Sequence, residues 1–122
     1  MGEVYEADDG ELHVRVALKT IAPEVAEDAR NVARFKREIQ LTARLQHPHI
    51  VPILSAGEAN GIPYYTMPLV EGESLRVRLM RTGAMSVADV TSILRDVARA
   101  LEFAHDKGVV HRDLKPANVM VT

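Results

Sequence analysis

The chain has 122 residues and a formal net charge of −2, with 47% hydrophobic and 26% charged residues. This balance predicts one soluble globular domain and excludes a disordered chain, and the charge gives no electrostatic reason to expect nucleic acid or an anionic membrane as a partner. There is no cysteine, which excludes disulfides and thiolate metal sites. No apolar run approaches the roughly 20 residues that span a bilayer, and the N-terminus lacks the apolar core of a signal peptide. We therefore expect a cytoplasmic location and no membrane contact within this segment.

The first elements predicted along the chain are two strands. Residues 3–7 and 12–21 read as strands joined by a turn at residues 8–10, where two aspartates precede a glycine. Apolar residues alternate along the second strand. Its period of two places Ala17 and Lys19 on the same face.

A helix and two further strands are predicted next. Residues 28–45 carry apolar side chains at helical spacing, and the helix is expected to end before Pro48 because a residue that precedes proline is biased out of the helical region. Apolar strands are predicted at 50–56 and 63–67. The dipeptide Asn60-Gly61 between them is a strong signal for a hairpin turn.

The second half of the chain is predicted to be mainly helical. Residues 68–72 form a short extended connector that we interpret as a boundary between domains or lobes, and a short helix follows at 74–82. A long helix is expected to begin after Ser86, whose hydroxyl can cap it, and to end at Gly108. A short strand is predicted at 119–121. The fold class is therefore α+β.

Two motifs point to a family. Residues 111–118 read His-Arg-Asp-Leu-Lys-Pro-Ala-Asn and fit the pattern H-R-D-L-x-x-x-N of the protein-kinase catalytic loop at every fixed position, and residues 16–19 match V-A-I-K with leucine for isoleucine. Across essentially its whole length, the chain resembles a eukaryotic-type (Hanks-type) serine/threonine protein kinase of the bacterial kind. The resemblance implies a partial kinase-like fold, with an antiparallel β N-lobe and one main helix at 1–67, a hinge at 68–72 and the beginning of a helical C-lobe at 73–122.

The resemblance also implies a reaction, the transfer of the γ-phosphoryl group of ATP to serine or threonine hydroxyls of protein substrates, with Mg²⁺ as cofactor. Asp113 would orient the attacking hydroxyl and accept its proton. Lys115 would neutralise the transferring phosphoryl group. Asn118 would be a metal ligand, since Mg²⁺ prefers oxygen donors. His111 is interpreted as structural, and Arg112 as a phosphate-binding residue of kinases that are activated by loop phosphorylation.

A second set of residues would bind the nucleotide. By resemblance Lys19 would pair with the α- and β-phosphates of ATP and with Glu38 on the predicted helix, although a solvent-facing helix carboxylate is the alternative interpretation of Glu38. Met67 would be the gatekeeper. The implied ATP-binding residues are Gly2, Val4, Ala17, Lys19, Glu38, Met67, Pro68, Val70 and Met120.

The chain lacks two parts of the kinase pattern. Only the end of the Gly-rich loop is present, at Gly2-Glu3-Val4, and the chain contains no Asp-Phe-Gly motif. We therefore expect a kinase domain that is truncated at both ends and inactive on its own; a membrane tether of the parent protein would lie outside this segment. One alternative is a non-catalytic nucleotide-binding or decoy module like a pseudokinase. Another is an aminoglycoside or choline phosphotransferase, against which Arg112 and Lys115-Pro116 argue.

Overall fold

The computed structural model describes residues 2–109 and 114–122, and the chain divides into two compact units. The first unit comprises Met1–Gln46 and Ile50–Leu69, and the second comprises His47–His49 and Val70–Thr122. The chain therefore enters the second unit briefly at residues 47–49 before it crosses to that unit for good after Leu69.

A four-stranded antiparallel sheet forms the first unit. Its strands are β1 (Glu3–Asp9), β2 (Val14–Thr20), β3 (Ser55–Ala59) and β4 (Ile62–Pro68). Their order in the sheet is β1-β2-β4-β3. Val4 lies opposite Lys19, and Lys19 lies opposite Tyr65. Because directly paired residues of antiparallel strands share a face, these three side chains form one row across the sheet.

The turns of this sheet follow local chemistry. Asn60 and Gly61 have φ angles of 54° and 78°, which is the left-handed pair that a two-residue hairpin turn requires; the predicted turn is confirmed. The turn between β1 and β2 comes later than predicted. It begins after Asp9, whose carboxylate accepts hydrogen bonds from the N–H groups of Glu11 and Leu12 at 2.9 and 3.1 Å.

The strand predicted at residues 50–56 is wrong over 50–54, which lie outside any strand. Pro52 has no N–H to donate to a ladder. Cross-strand bonding begins where the N–H of Leu54 donates to the carbonyl of Thr66 at 2.8 Å. The apolar composition of this stretch indicates burial, but it does not distinguish a strand from an irregular segment.

Two helices follow β2 in the first unit: α1 (Pro23–Ala26) and α2 (Ala29–Thr42). Helix α1 was not predicted, since four residues are too few to show a period. Helix α2 was predicted, and the Asp28 carboxylate caps it by accepting a hydrogen bond from the Arg30 N–H at 2.9 Å. Phe35 is buried on the inner side of α2, where it packs with Ile21 and Tyr65 in the core of this unit.

The second unit is built around two helices and a short ribbon. Its elements are α3 (Leu75–Thr82), α4 (Val87–Asp106), β5 (Glu73–Ser74), β6 (Met120–Val121) and a 3-10 helix (Pro116–Asn118). Ser74 and Ser86 cap α3 and α4 by accepting hydrogen bonds from the N–H groups of Val77 and Asp89, both at 3.2 Å. Gly83, with a φ angle of 73°, ends α3. Both predicted helices are confirmed.

Helix α4 buries only part of its apolar surface. Ala100 and Ala104 are buried, whereas Leu94 is 60% exposed and Val87 is 84% exposed. The N-terminal half of α4 thus presents apolar surface to solvent. No helix within residues 2–109 or 114–122 is long and apolar enough to cross a membrane.

Candidate active site

An ion pair between β2 and α2 is the main charged feature of the sheet face in the first unit. The Nζ atom of Lys19 lies 3.6 Å from Oε1 of Glu38, and the two side chains are 29% and 52% exposed. The helix places Glu38 one turn after the buried Phe35, and residues three apart lie on the same side of a helix. Packing of Phe35 against the sheet therefore carries Glu38 to the lysine.

Tyr65 lies beside this ion pair. The Nζ atom of Lys19 is 5.9 Å from the centroid of the Tyr65 ring, and the ring is 5.7 Å from that of Phe35. Burial raises the pKa of the Tyr65 hydroxyl, the nearby Lys19 ammonium opposes that rise, and the Glu38 carboxylate adds to it. The hydroxyl is therefore close enough to both charges of the pair to respond to them.

The predicted adenine-binding side chains lie on the same sheet face as Lys19. Ala17 is opposite Met67 in the register of β2 and β4, and each is two residues from a member of the row that contains Lys19 and Tyr65. Val4 occupies that row on β1 and is largely exposed. The sheet thus brings Val4, Ala17, Lys19 and Met67 together, and their role in nucleotide binding stays a prediction.

Gly2 lies against the lysine side chain. A Cβ atom built at Gly2 would lie 2.6 Å from Cε of Lys19 and 3.2 Å from the carbonyl oxygen of Thr20. A side chain at this position would require the flexible lysine to shift and would press against the Thr20 carbonyl. Pro68, the other predicted site residue at this end of the first unit, pairs with Val16 at the last position of β4.

In the second unit, the residues after the predicted catalytic aspartate are held by backbone hydrogen bonds. The N–H of Asn118 donates to the carbonyl of Lys115 at 2.9 Å, and the N–H of Leu75 donates to the carbonyl of Val119 at 2.7 Å. Lys115 and Asn118 both have interaction partners. Met120 pairs with Ser74 in the β5–β6 ribbon, and Val70 is half-buried.

The remaining catalytic-loop predictions lie outside the described residues. They are His111, Arg112 and Asp113, and of these Asp113 carries the central catalytic assignment. Its role therefore stays a prediction from the sequence.

Among the described residues, Lys19 keeps hydrogen-bonding capacity beyond its ion pair with Glu38. A lysine ammonium has three N–H donors, and a single carboxylate at 3.6 Å leaves donors for phosphate oxygens. Within residues 2–109 and 114–122, no group of three or more His, Cys, Asp or Glu side chains is arranged to hold a metal ion. Asn118 supplies an amide oxygen of the type that hard divalent cations accept.

Sequence reasoning overlooked two features of these surroundings. Tyr65 could have been found, because it lies two residues before Met67 and a strand period of two places both on one face. The ion pair of Glu73 with Arg81 could not, since it depends on how β5 meets α3. Hydrogen bonding from Arg81 lowers the pKa of the Glu73 carboxyl.

Comparison with known proteins identifies the family. The model of the protein kinase domain family matches residues 1–122. The chain belongs to this family. Serine/threonine-protein kinase PknD of Mycobacterium tuberculosis is 47% identical over 122 residues, which are all of this chain and 18% of PknD. PknA of the same species is 42% identical over 127 aligned positions, which cover all of this chain and 30% of PknA.

Solved structures agree on the fold. The crystal structure of the M. tuberculosis PknI kinase domain superimposes with a TM-score of 0.86 at 39% identity, and the alignment covers all of this chain and 49% of that chain. The chain thus spans less than a third of the curated relatives it matches and about half of the PknI kinase domain. The predicted α+β, kinase-like fold class is confirmed. The relatives are named serine/threonine-protein kinases, so the decoy and small-molecule phosphotransferase alternatives are not favoured.

Proposed function

We propose that this chain provides the nucleotide-binding sheet and the catalytic loop of a protein serine/threonine kinase, which transfers the γ-phosphoryl group of ATP to serine or threonine hydroxyls of protein substrates. The observation that carries the proposal is the Lys19–Glu38 ion pair, with its atoms 3.6 Å apart. A half-buried ammonium that pairs with one carboxylate among the described residues, that of Glu38 on α2, is suited to polyanionic phosphates.

Each residue has a chemical task in this proposal. Lys19 binds the non-transferred phosphates, and Glu38 orients it. Asp113 positions the substrate hydroxyl and accepts its proton. Lys115 neutralises charge on the phosphoryl group during its transfer. In-line transfer needs little covalent chemistry from the protein, so positioning and charge stabilisation supply most of the catalysis.

The adenine and the metal complete the proposed site. Val4, Ala17, Met67 and Met120 would contact the base, while the Pro68 carbonyl and the Val70 N–H would bind its polar edge. Proline is compatible with the first of these positions, since only a carbonyl is used there. The metal would be Mg²⁺ with Asn118 as one ligand; when bound, it would neutralise phosphate charge. We propose a cytoplasmic location, as the resemblance to ATP-dependent kinases implies.

Measurement of nucleotide affinity tests whether Lys19, the cation of this ion pair, binds the phosphates. The dissociation constant of a fluorescent ATP analogue would be measured for the chain and for Lys19→Met, which keeps the length of the side chain and removes its charge. The matched control is Lys36→Met: Lys36 also forms an ion pair with a glutamate, Glu58, and lies on α2 rather than in the row with Tyr65.

We expect Lys19→Met to weaken binding by about tenfold or more, in line with the loss of a charge-assisted hydrogen bond. Lys36→Met should leave affinity within about twofold, because its pair is exposed and Lys36 is not a member of the row. Equal losses in the two variants, or no loss in Lys19→Met, would remove the basis for the proposal.

A further inference from the structure

Tyr65 occupies a position that no predicted role explains. It lies in β4 directly opposite Lys19, it is only 8% exposed, and its ring contacts that of Phe35 at 5.7 Å with the planes tilted by 34°. Phe35 and Tyr65 belong to one buried cluster with Ile21. The ring is therefore fixed on one side by the core of the first unit.

On its other side the ring meets the lysine. Lys19 Nζ lies 5.9 Å from the ring centroid, within the range in which an aromatic face attracts a cation. The hydroxyl responds to both members of the ion pair, since Lys19 lowers its pKa and Glu38 raises it, while burial sets the overall upward direction. The phenol is thus neutral at physiological pH and can donate or accept a hydrogen bond beside the pair.

The Lys19–Glu38 ion pair alone is expected to order the lysine side chain only weakly. Glu38 is 52% exposed, and exposed lysine–carboxylate pairs contribute little by themselves because two flexible side chains must be ordered in water. An aromatic residue has only two side-chain torsions, and Phe35 already restricts those of Tyr65. A rigid ring next to a flexible lysine narrows the directions in which the ammonium can point.

We propose that Tyr65 is a positioning residue for the phosphate-binding lysine: its ring and hydroxyl hold the Lys19 ammonium in the orientation in which it meets the phosphates. This inference rests on the proposed function of Lys19. Tyr65 itself touches no reacting atom. Its effect should therefore appear only with ligands that carry phosphates.

The experiment compares ATP with adenosine, which lacks the groups that Lys19 would bind. Dissociation constants for both ligands would be measured by calorimetry for the chain, Tyr65→Leu and Tyr65→Phe. The control is Tyr64→Leu, which removes a neighbouring tyrosine whose side chain lies on the opposite face of β4, against Gly57. Circular dichroism would check that each variant is folded.

We expect Tyr65→Leu to weaken ATP binding about fivefold, which is the range of a lost cation–π contact. Adenosine binding should stay within about twofold. Tyr65→Phe keeps the ring and the core packing, so about a fourfold loss for ATP alone, outside the twofold range allowed for adenosine, is expected from removal of the hydroxyl. Tyr64→Leu should change neither constant. If Tyr65→Leu does not fold, the Tyr65→Phe result decides.

Two results would overturn the inference: a parallel loss of ATP and adenosine affinity, which would indicate core packing only, or unchanged ATP affinity in both Tyr65 variants. Failure of the proposed function is distinguishable from these results. In that case Lys19→Met itself leaves ATP affinity unchanged, whereas failure of this inference alone leaves Lys19→Met impaired and the Tyr65 variants normal. Under the proposal, adding Tyr65→Leu to Lys19→Met should cause no further loss.

Discussion

Replacement of Gly72 by alanine should loosen the ribbon that holds the segment after the catalytic loop. Gly72 has a φ angle of 141°, and a Cβ atom at this position would lie 2.3 Å from the backbone carbonyl oxygen of Val121. Since the obstacle is backbone, no side-chain rotation can relieve the clash. The chain must move at the start of β5 or at β6.

The size of the effect follows from two terms. An L-residue held at such a positive φ angle costs about 1–3 kcal/mol. Separation of the β5–β6 ribbon also loses net hydrogen-bond stabilisation of about 1 kcal/mol per bond. A sum near 3 kcal/mol corresponds to an increase of about 100-fold in local opening. The bond from the Leu75 N–H to the Val119 carbonyl, 2.7 Å long, is the direct reporter of this opening.

Amide hydrogen exchange measures that opening residue by residue. The control is Gly83→Ala: Gly83 also has a positive φ angle, 73°, but nothing lies within 4 Å of its Cβ position. We expect the Leu75 and Asn118 amides to exchange at least about tenfold faster in Gly72→Ala, and clearly less so in Gly83→Ala, which shares the backbone strain but lacks the clash. Equal acceleration in the two variants, or protection of Leu75 that survives in Gly72→Ala, would refute the argument from the clash.

Three further predictions concern charge, surface and activity. The lowered pKa of Glu73 means that its contact with Arg81 stabilises the second unit above the ordinary glutamate value of 4.5 and is lost as the pH falls through the lowered value; the protection factor of the Leu75 amide, which corrects for the intrinsic pH dependence of exchange, should fall in that acid range, and Glu73→Gln should remove this contribution. The exposed apolar half of α4, including Leu94 and Val87, should cause self-association of the 122-residue polypeptide; sedimentation should show it, Leu94→Lys should reduce it, and a cooperative melt of a monomeric chain would contradict it. The polypeptide contains no Asp-Phe-Gly motif, so we expect no significant transfer of labelled phosphate from ATP to a serine/threonine substrate; transfer that disappears in Asp113→Ala would prove this expectation wrong.

Local signals accounted for most of the elements. The apolar period of residues 28–45 predicted α2, and its buried member Phe35 does face the core. Asn60-Gly61 predicted the hairpin because that turn needs two left-handed residues. Ser86 predicted the start of α4, since its hydroxyl satisfies an N–H of the first turn.

The remaining elements depend on tertiary contacts or are too short to have a period. Helix α1 has four residues, and residues 50–54 are apolar without forming a strand. In the second unit, the His47 ring lies 5.3 Å from that of Phe103, and Nε2 of His49 lies 3.6 Å from Oδ1 of Asp96. Nothing in the local sequence links them to α4.

In the candidate site, too, some features follow from the sequence and others depend on tertiary contacts. The family resemblance supplied Glu38 as the partner of Lys19, whereas the spacing of the two residues alone could not. The structure adds the physical reason, because Phe35 anchors α2 one turn before Glu38. The strand period places Tyr65 on the face of Met67, but its position opposite Lys19 depends on the pairing register, which is a property of two strands rather than of one.

The most direct test of the central claim is to ask which lysine meets the phosphates of bound ATP. An ATP derivative with a reactive acyl group on its terminal phosphate acylates lysine amines close to the bound phosphates, and peptide mass spectrometry locates the label. Lys19 should be acylated well above Lys36, and excess ATP should suppress the labelling of Lys19 but not that of Lys36. Equal labelling of the two lysines that excess ATP leaves unchanged would contradict the assignment of Lys19 as the phosphate-binding residue.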